Sequence, residues 1–284
     1  MEIRLKKIAV FILCFLFLPV AGYPAQKSFR PLCVKAAMLV ELNTGKVLYQ
    51  QNADKVIQPA SLSKIMSLYL ISEDIEKHKA RYSDLVTISA NAVHTGGSKM
   101  LFETGAQYEV FDLVKGMAVH SANDASVALA EHFGGNVDNF VLRMNAKARQ
   151  LGMNHTHFVN PHGLPSKKQT TTARDICKLS RDYLRRFPNS KKIHSIESFT
   201  FNNLVLANRN DLLHDYPGVD GLKTGYVGAA GFHLVATANR GNVKLMAIVL
   251  GAENRRIRSQ QARKLLDYGF VKVGEKHAKN RIGG

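Results

Sequence analysis

Runs of apolar residues near both ends of the chain are typical of β-strands. Each pair of runs flanks a short glycine-containing segment, Asn43-Thr44-Gly45 in the first pair and Arg240-Gly241-Asn242 in the second, as the strands of a hairpin do. The runs are KAAMLVEL (35–42), KVLYQQN (46–52), FHLVATAN (232–239) and VKLMAIVL (243–250). The pattern predicts two antiparallel hairpins.

Apolar residues at helical spacing dominate the middle of the chain. Pro59-Ala60-Ser61 precedes a stretch in which Ile65, Leu68 and Tyr69 share one helical face, and a proline suits a helix entrance. Four more helices are predicted before the last hairpin and one after it, at 110–119, 124–133, 138–151, 172–186 and about 254–268.

Strands at both ends around a helical middle predict an α/β fold of the α+β kind. We expect one antiparallel sheet flanked by helices, with a mostly helical lobe inserted. The expected sheet lobe covers about 30–84 and 205–270, and the helical lobe about 85–204. With 284 residues, 45% of them hydrophobic, the chain can bury a large core.

The first 25 residues have the order of a secretory signal peptide. Basic residues within positions 4–7 precede an apolar run at 8–20, and small residues follow before position 26. The run is shorter than the roughly 20 residues that a membrane helix needs. We therefore expect a signal peptide at 1–25, one main domain at 26–275 and a basic tail at 276–284. The mature protein would lie in the periplasm or another extracytoplasmic space, either free or associated with the membrane. We expect no stable transmembrane anchor.

The formal charge of +17 suggests nucleic acid as a partner, but the basic residues are scattered along the chain. No zinc-finger spacing, basic zipper region or RNP-like motif accompanies them, so we expect no nucleic-acid binding. Cys33 and Cys177 remain after signal removal, and we favour two unpaired thiols.

The cluster of His155, His157 and His162 has no nearby acidic residue to complete a metal site. We expect neither a metal nor a cofactor.

Ser61-Leu62-Ser63-Lys64 forms a Ser-x-x-Lys at the start of a predicted helix. Residues i and i+3 share a helical face, so the Ser61 hydroxyl and the Lys64 amine can meet. A lysine that burial or a nearby cation keeps neutral can take the proton of a serine and make it a nucleophile. The helix N-terminus adds backbone N–H groups where an oxyanion would form. Taken alone, the motif also fits a capping serine and a solvated lysine.

Two more motifs follow, Ser121-Ala122-Asn123 between two predicted helices and Lys223-Thr224-Gly225 in a strand context. Gly225 lies where a substrate backbone could approach. Ser-x-x-Lys, a Ser-x-Asn-type motif and Lys-Thr-Gly occur together in class A β-lactamases and penicillin-binding proteins. Each motif alone is common, whereas all three in this order and in these contexts point to that chemistry rather than to chance.

On these motifs the chain resembles the D-alanyl-D-alanine carboxypeptidases, the low-molecular-mass penicillin-binding proteins, over roughly residues 33–270. Further matching stretches are PASLSKIM (59–66), TGGSKMLFETG (95–105), SANDASVALAEH (121–132), LGMNHTHFVNPHGL (151–164), TTARD (171–175), NRNDLL (208–213), GLKTG (221–225) and KLLDYGF (264–270). The resemblance implies a serine β-lactamase or penicillin-binding transpeptidase-like fold. It also implies a serine hydrolase that removes the terminal D-alanine of peptidoglycan stem peptides and that β-lactams inhibit covalently.

The resemblance also implies a role for each matching residue. Ser61 would attack the carbonyl between the two D-alanines, Lys64 would accept its proton, and Ser121 would relay that proton to the leaving amine. Asn123 would help to hold the substrate peptide.

On the strand side, Lys223 would supply positive charge, and Thr224 would help to receive the substrate carboxylate. The backbone N–H groups of Ser61 and Tyr226 would form the oxyanion hole, and Arg209 and Arg258 match positions near the carboxylate end.

Two residues depart from the family pattern. Ala122 stands where many relatives have Gly or Asp, and Tyr226 stands where His is frequent, which argues against proton shuttling by that side chain.

Three alternatives stay open. A β-lactamase of the glutamate-dependent kind would need a deacylating base, but no Glu lies between Glu131 and Glu197. A D,D-endopeptidase that cuts cross-links would use the same residues. A non-catalytic β-lactam or peptidoglycan-binding module would not need Ser61, Lys64 and Lys223 together.

Overall fold

A five-stranded antiparallel sheet joins the two ends of the described chain. The computed structural model describes residues 29–282, with side chains as far as residue 274. Its strands are β1 (Ala36–Glu41), β2 (Val47–Gln51), β3 (Leu85–Thr87), β4 (Gln107–Glu109), β5 (Ser198–Phe201), β6 (Leu204–Ala207), β7 (Val219–Val227), β8 (Gly231–Arg240) and β9 (Val243–Ala252). The main sheet has the order β2-β1-β9-β8-β7, which confirms the predicted sheet built from both hairpins.

Along the sequence, most helices of the described region come between β2 and β7, and the last one follows β9. They are α1 (Ser63–Glu76), α2 (Ala90–His94), α3 (Val110–Lys115), α4 (Asn123–Gly134), α5 (Val137–Gln150), α6 (Ala173–Arg186), α7 (Lys191–His194), α8 (Leu212–Asp215) and α9 (Arg255–Ile282). A 3₁₀ turn at Ala60–Leu62 leads into α1, and a π-helical turn at Gly116–His120 follows α3. All these elements belong to one compact unit, Pro31–Gly284.

The central strands are apolar on both faces because helices cover both sides of the sheet. In β1, Met38 and Val40 join the core shared with α1 and α6, whereas Leu39 points to the other face. There it lies against Gly269 of α9, where an added Cβ would come within 2.8 Å of Leu39. A strand buried on both faces has a continuous apolar run rather than alternation.

The structure corrects two boundaries of the predicted elements. The helix predicted at 110–119 is the short α3 followed by the π turn, and the terminal helix continues to Ile282 rather than ending near 268. Gly269, which resembles a helix stop, instead permits the close approach of α9 to the sheet. The middle of the chain also contains two small hairpins, β3–β4 and β5–β6, whose strands are too short to show a period.

The predicted signal peptide at 1–25 lies outside the described residues. Within the described part, no helix has the length and apolar character needed to cross a membrane. Cys33 is exposed and Cys177 is buried, and both are free thiols.

Candidate active site

Ser61 and Lys64 lie one turn apart, where the 3₁₀ turn passes into α1. The Lys64 Nζ atom is 3.1 Å from Ser61 Oγ, and the Lys64 side chain is fully buried. The amine also donates to Asn123 Oδ1 at 2.7 Å and to the carbonyl of His162 at 2.6 Å. All three acceptors are uncharged, so the lysine is held by hydrogen bonds rather than by an ion pair.

The surroundings of Lys64 favour the neutral amine. Burial holds the pKa of Lys64 well below its usual value, the positive charges of Lys223 and Arg209 lower it further, and Asp124 opposes them. A neutral amine has a free lone pair, and Ser61 Oγ lies within hydrogen-bond distance of it. The pair is therefore arranged for proton transfer from the serine to the lysine.

Ser121 and Asn123 enter the site from the junction between the π turn and α4. Ser121 adopts a left-handed backbone conformation with φ 66°, and its side chain is buried. Asn123 Nδ2 donates to the carbonyl of Gly96 at 2.6 Å, and its backbone N–H donates to Ser98 at 2.7 Å. These contacts fix the amide so that its oxygen faces Lys64.

Asp124 anchors the loop that holds Asn123. Its buried carboxylate accepts the backbone N–H groups of Met100, Leu101 and Ala125 at 2.8–3.1 Å. Burial raises the pKa of Asp124, and the three N–H groups counteract this. The sequence motifs did not point to this residue, although a carboxylate directly after a site asparagine offered a signal.

The edge strand β7 supplies the Lys-Thr-Gly residues. Lys223 is buried and donates to the carbonyl of Thr224 at 3.1 Å. Burial, followed by the charges of Arg209 and Arg258, lowers the pKa of Lys223 to about 7. A Cβ on Gly225 would lie 3.2 Å from Ser61 N, so the glycine lets β7 pack against the turn that carries Ser61.

The loop at 155–169 contributes through its backbone. Gly163 has φ 91°, and a Cβ there would lie 1.9 Å from the carbonyl oxygen of Ala60. This close packing presents the preceding carbonyl, of His162, to Lys64. The His162 ring accepts the N–H of Leu164, and burial lowers its pKa to about 3. The described residues contain no group of three or more His, Cys, Asp or Glu side chains able to hold a metal ion.

His233 contacts the segment that precedes the Ser61 turn. It lies opposite Gly225 in the β7–β8 pairing and is fully buried. Its Nδ1 atom accepts the N–H of Gly251 at 2.9 Å, which leaves the proton on Nε2 to donate to Gln58 at 3.0 Å. Burial lowers the pKa of His233 to about 4. The histidine thus links β8 and β9 to Gln58, which lies three residues before Ser61.

Arginines occupy the other end of the site. Arg258 is buried and pairs with Asp211 at 2.9 Å, and Arg255 binds the same carboxylate through Nε at 2.9 and 3.0 Å. Arg209, which is exposed, accepts an N–H of Arg258 at its carbonyl. Arg209 and Arg258 were predicted from the sequence. Asp211 and Arg255 were not, because their ion pairs depend on how α8 packs against α9.

A single cleft of about 470 Å³ connects these groups. Tyr226 forms part of its rim, with its side chain 57% exposed and its ring centroid 4.2 Å from that of Phe232. The lining residues are Ser61, Gly97, Ser98, Ser121, Asn123, Gly163, Leu164, Pro165, Arg209, Thr224, Gly225, Tyr226, Val227, Gly228, Phe232, Arg255 and Arg258. Lys64 and Lys223 lie buried behind this surface. The structure brings all the anticipated site residues together, while their roles stay predictions.

Several characterised proteins are similar in sequence. D-alanyl-D-alanine carboxypeptidase DacF of Bacillus subtilis is 40% identical over 240 residues, which cover 83% of this chain and 62% of DacF. DacC of Escherichia coli is 39% identical over 90% of this chain and 66% of its own length. The chain therefore spans less than two thirds of these relatives. A D-alanyl-D-alanine endopeptidase of Pseudomonas aeruginosa is 32% identical over 81% of this chain and 74% of its own length.

Solved structures show the same fold. Penicillin-binding protein 5 of Haemophilus influenzae superposes with a TM-score of 0.84 at 38% identity, covering 86% of this chain and 72% of that protein. Penicillin-binding protein D2 of Listeria monocytogenes, in its ampicillin-bound form, gives 0.77 at 33% identity over 84% and 98% of the two chains. The family model for D-alanyl-D-alanine carboxypeptidases, peptidase family S11, matches residues 25–254. Together with the site geometry, these matches show that the chain belongs to the D-alanyl-D-alanine carboxypeptidase family S11.

Proposed function

We propose that the protein is a serine-type D-Ala-D-Ala carboxypeptidase that removes the terminal D-alanine of peptidoglycan stem peptides. The observation that carries this proposal is the fully buried Lys64 amine, 3.1 Å from Ser61 Oγ at the wall of an open cleft. A buried amine with uncharged partners is costly for structure alone and useful as a base.

Acylation begins when Ser61 Oγ attacks the carbonyl carbon between the two D-alanines. The hydroxyl proton passes to Lys64 as the new C–O bond forms. The backbone N–H groups of Ser61 and Tyr226 stabilise the oxyanion of the tetrahedral intermediate. Gly225 supports this arrangement, because its missing side chain lets β7 lie against the Ser61 turn.

Collapse of the intermediate breaks the peptide C–N bond. Ser121 relays the proton from Lys64 to the leaving nitrogen, and Asn123 holds the acyl portion of the peptide. Lys223, Thr224 and Arg209 bind the carboxylate of the leaving D-alanine, with Arg258 behind them. Because a bound carboxylate stabilises a nearby ammonium, the pKa of Lys223, about 7 in the free site, rises when substrate binds.

Water then hydrolyses the acyl-enzyme after D-alanine has left. A β-lactam acylates Ser61 as well, but its opened ring stays attached and occupies the position of the departed amino acid. The loop at 155–169 carries no carboxylate that could activate water past this obstacle. β-Lactams therefore act as covalent inhibitors, and the β-lactamase alternative is disfavoured.

The proposed setting is outside the cytoplasm. The residue order of 1–25 supports a signal peptide, followed by the catalytic domain at 26–275 and a basic tail at 276–284. The substrate is a cell-wall polymer, which is reached only after export.

The direct test is to incubate the purified protein with a peptide ending in D-Ala-D-Ala and to quantify free D-alanine. We expect many turnovers per protein, abolished by Ser61→Ala. Ser63→Ala is the matched control, because the Ser63 hydroxyl is buried without a hydrogen-bond partner and does not line the cleft. Covalent penicillin binding without D-alanine release would instead support a non-catalytic binding module.

A further inference from the structure

The charges along the cleft are one-sided. Among the described residues that line it, every charged side chain is an arginine, namely Arg209, Arg255 and Arg258. Lys223 is buried next to Thr224, which lines the cleft, and the charges of Arg209 and Arg258 help to lower the pKa of Lys223. The leaving amino acid of a D-Ala-D-Ala peptide brings one carboxylate to this end. One carboxylate leaves most of the positive charge uncompensated.

Asp211 compensates for only part of this charge. Its carboxylate is shared by Arg255, Arg258 and the hydroxyl of Ser259. Only 3% of the Arg258 side chain is exposed, and its Nε–H is buried without a hydrogen-bond partner. Burial, with repulsion from Arg255, lowers the pKa of Arg258 to about 10. A buried donor without a partner and a cluster of mutually repelling cations both favour the binding of additional anionic groups.

A second groove extends the cleft at this point. It has a volume of about 490 Å³, shares Arg255 with the cleft, and includes Arg256 and Arg263 together with Asp215. Arg263 donates to the backbone carbonyl of Asp215, so this contact does not neutralise it. Cleft and groove together carry five arginines and two aspartates. The side chain of Arg255 is 60% exposed, which leaves it accessible from both sides.

We propose that Arg255, with Arg256 and Arg263, forms an anion-binding extension of the leaving-group end that takes a leaving group with a second carboxylate. The first carboxylate occupies the Thr224 end of the cleft, and the second reaches Arg255 at the junction with the groove. In a cross-link, the leaving group is the amine of a neighbouring acidic peptide, which can bring a second carboxylate. The leaving D-alanine of an uncross-linked peptide has only one carboxylate and does not use the extension. This inference rests on the proposed carboxypeptidase chemistry.

The test compares two peptides with the same acyl portion, one ending in D-Ala-D-Glu and the other in D-Ala-D-Gln. The two leaving groups have nearly the same shape and differ by one negative charge. An accessible ion pair contributes up to about 1 kcal/mol, which corresponds to about fivefold in rate. We expect the wild-type kcat/KM to be about fivefold higher for the D-Glu peptide, and the preference to shrink as ionic strength rises.

Arg255→Gln should bring this ratio close to one. Any general loss of activity lowers kcat/KM equally for both peptides and therefore cancels in their ratio. Lys264→Gln is the matched control, since it removes one exposed positive charge of α9 that lines neither cavity. An equal rate for both peptides in the wild type, or a ratio that survives Arg255→Gln, would overturn the proposal.

The proposed function can fail separately. If the D-Ala-D-Ala peptide releases no D-alanine, the carboxypeptidase proposal is wrong, and the anion site is then decided by binding alone. Calorimetry of the two peptides with the Ser61→Ala protein gives the same ratio without turnover. Tighter binding of the D-Glu peptide that requires Arg255 supports the extension, and equal binding contradicts it.

Discussion

The two ends of the cleft are built in opposite ways. At the reacting end, Lys64 is fully buried and is held by Ser61, Asn123 and a backbone carbonyl, with no charged partner among its hydrogen bonds. At the leaving-group end, the exposed Arg255 is held by an ion pair with Asp211. The first arrangement fixes position and suppresses charge, whereas the second concentrates positive charge where a ligand in the cleft can reach it.

This difference assigns different physical tasks to the two ends. Proton transfer depends on distance and on a neutral amine, so rigidity and desolvation serve it. Anion binding depends on positive charge that a ligand can reach, so solvent-accessible guanidinium groups serve it. Substitutions at the reacting end should therefore change rates for all substrates, and substitutions at the other end should change the preference among them.

The largest effect is expected from Lys64→Met, which keeps the length of the side chain and removes the amine. Acylation by fluorescent penicillin should slow by roughly 10³-fold, because the proposed general base is lost. The D-Glu to D-Gln preference should stay unchanged in the residual activity. The melting temperature shows whether the variant is folded. A folded variant that acylates within tenfold of the wild type would rule out Lys64 as the base.

Gly163→Ala should have the next largest effect, because its Cβ would lie 1.9 Å from the Ala60 carbonyl oxygen. The loop must move, and the His162 carbonyl moves away from Lys64. We expect acylation to fall by about tenfold or more, together with a loss of roughly 1–3 kcal/mol in the free energy of unfolding.

Gly105→Ala separates these two causes in the Gly163 test. Gly105 has a similar φ of 85°, but no atom lies within 4 Å of the added Cβ. It should lose stability through backbone strain alone and keep its acylation rate. Equal acylation losses in both variants would show that the contact with Ala60 is unimportant.

A smaller effect concerns pH and His233. Its pKa is about 4 when folded and near 6.5 when unfolded, so the unfolded chain binds the extra proton between these values. Stability from His233 is thus complete above pH 6.5 and decreases as the pH falls toward 4. Denaturant titrations at several pH values give the free energy of unfolding as a function of pH. In this window, the slope for His233→Gln should be shallower than that of the wild type by about 1.4 kcal/mol per pH unit. An unchanged slope would mean that His233 is already protonated in the folded protein.

The sequence predicted the reacting end better than the rest of the cleft. Ser61, Lys64 and Asn123 could be found because the chemistry requires those side chains at those spacings. The His162 contribution could not, because a backbone carbonyl carries no residue-specific signal. The Arg255–Asp211 pair depends on the packing of α8 against α9, and the full length of α9 was hidden because Gly269 resembles a helix stop.

The most direct test of the central claim is mass spectrometry of the intact protein after a short β-lactam pulse. We expect one adduct per protein, located on the peptide that contains Ser61 and persisting for minutes or longer. In untreated protein, D-alanine release from peptide should continue through many turnovers. An adduct on another residue would contradict Ser61 as the nucleophile. Loss of the adduct within a second, with sustained penicillin hydrolysis, would identify a β-lactamase instead.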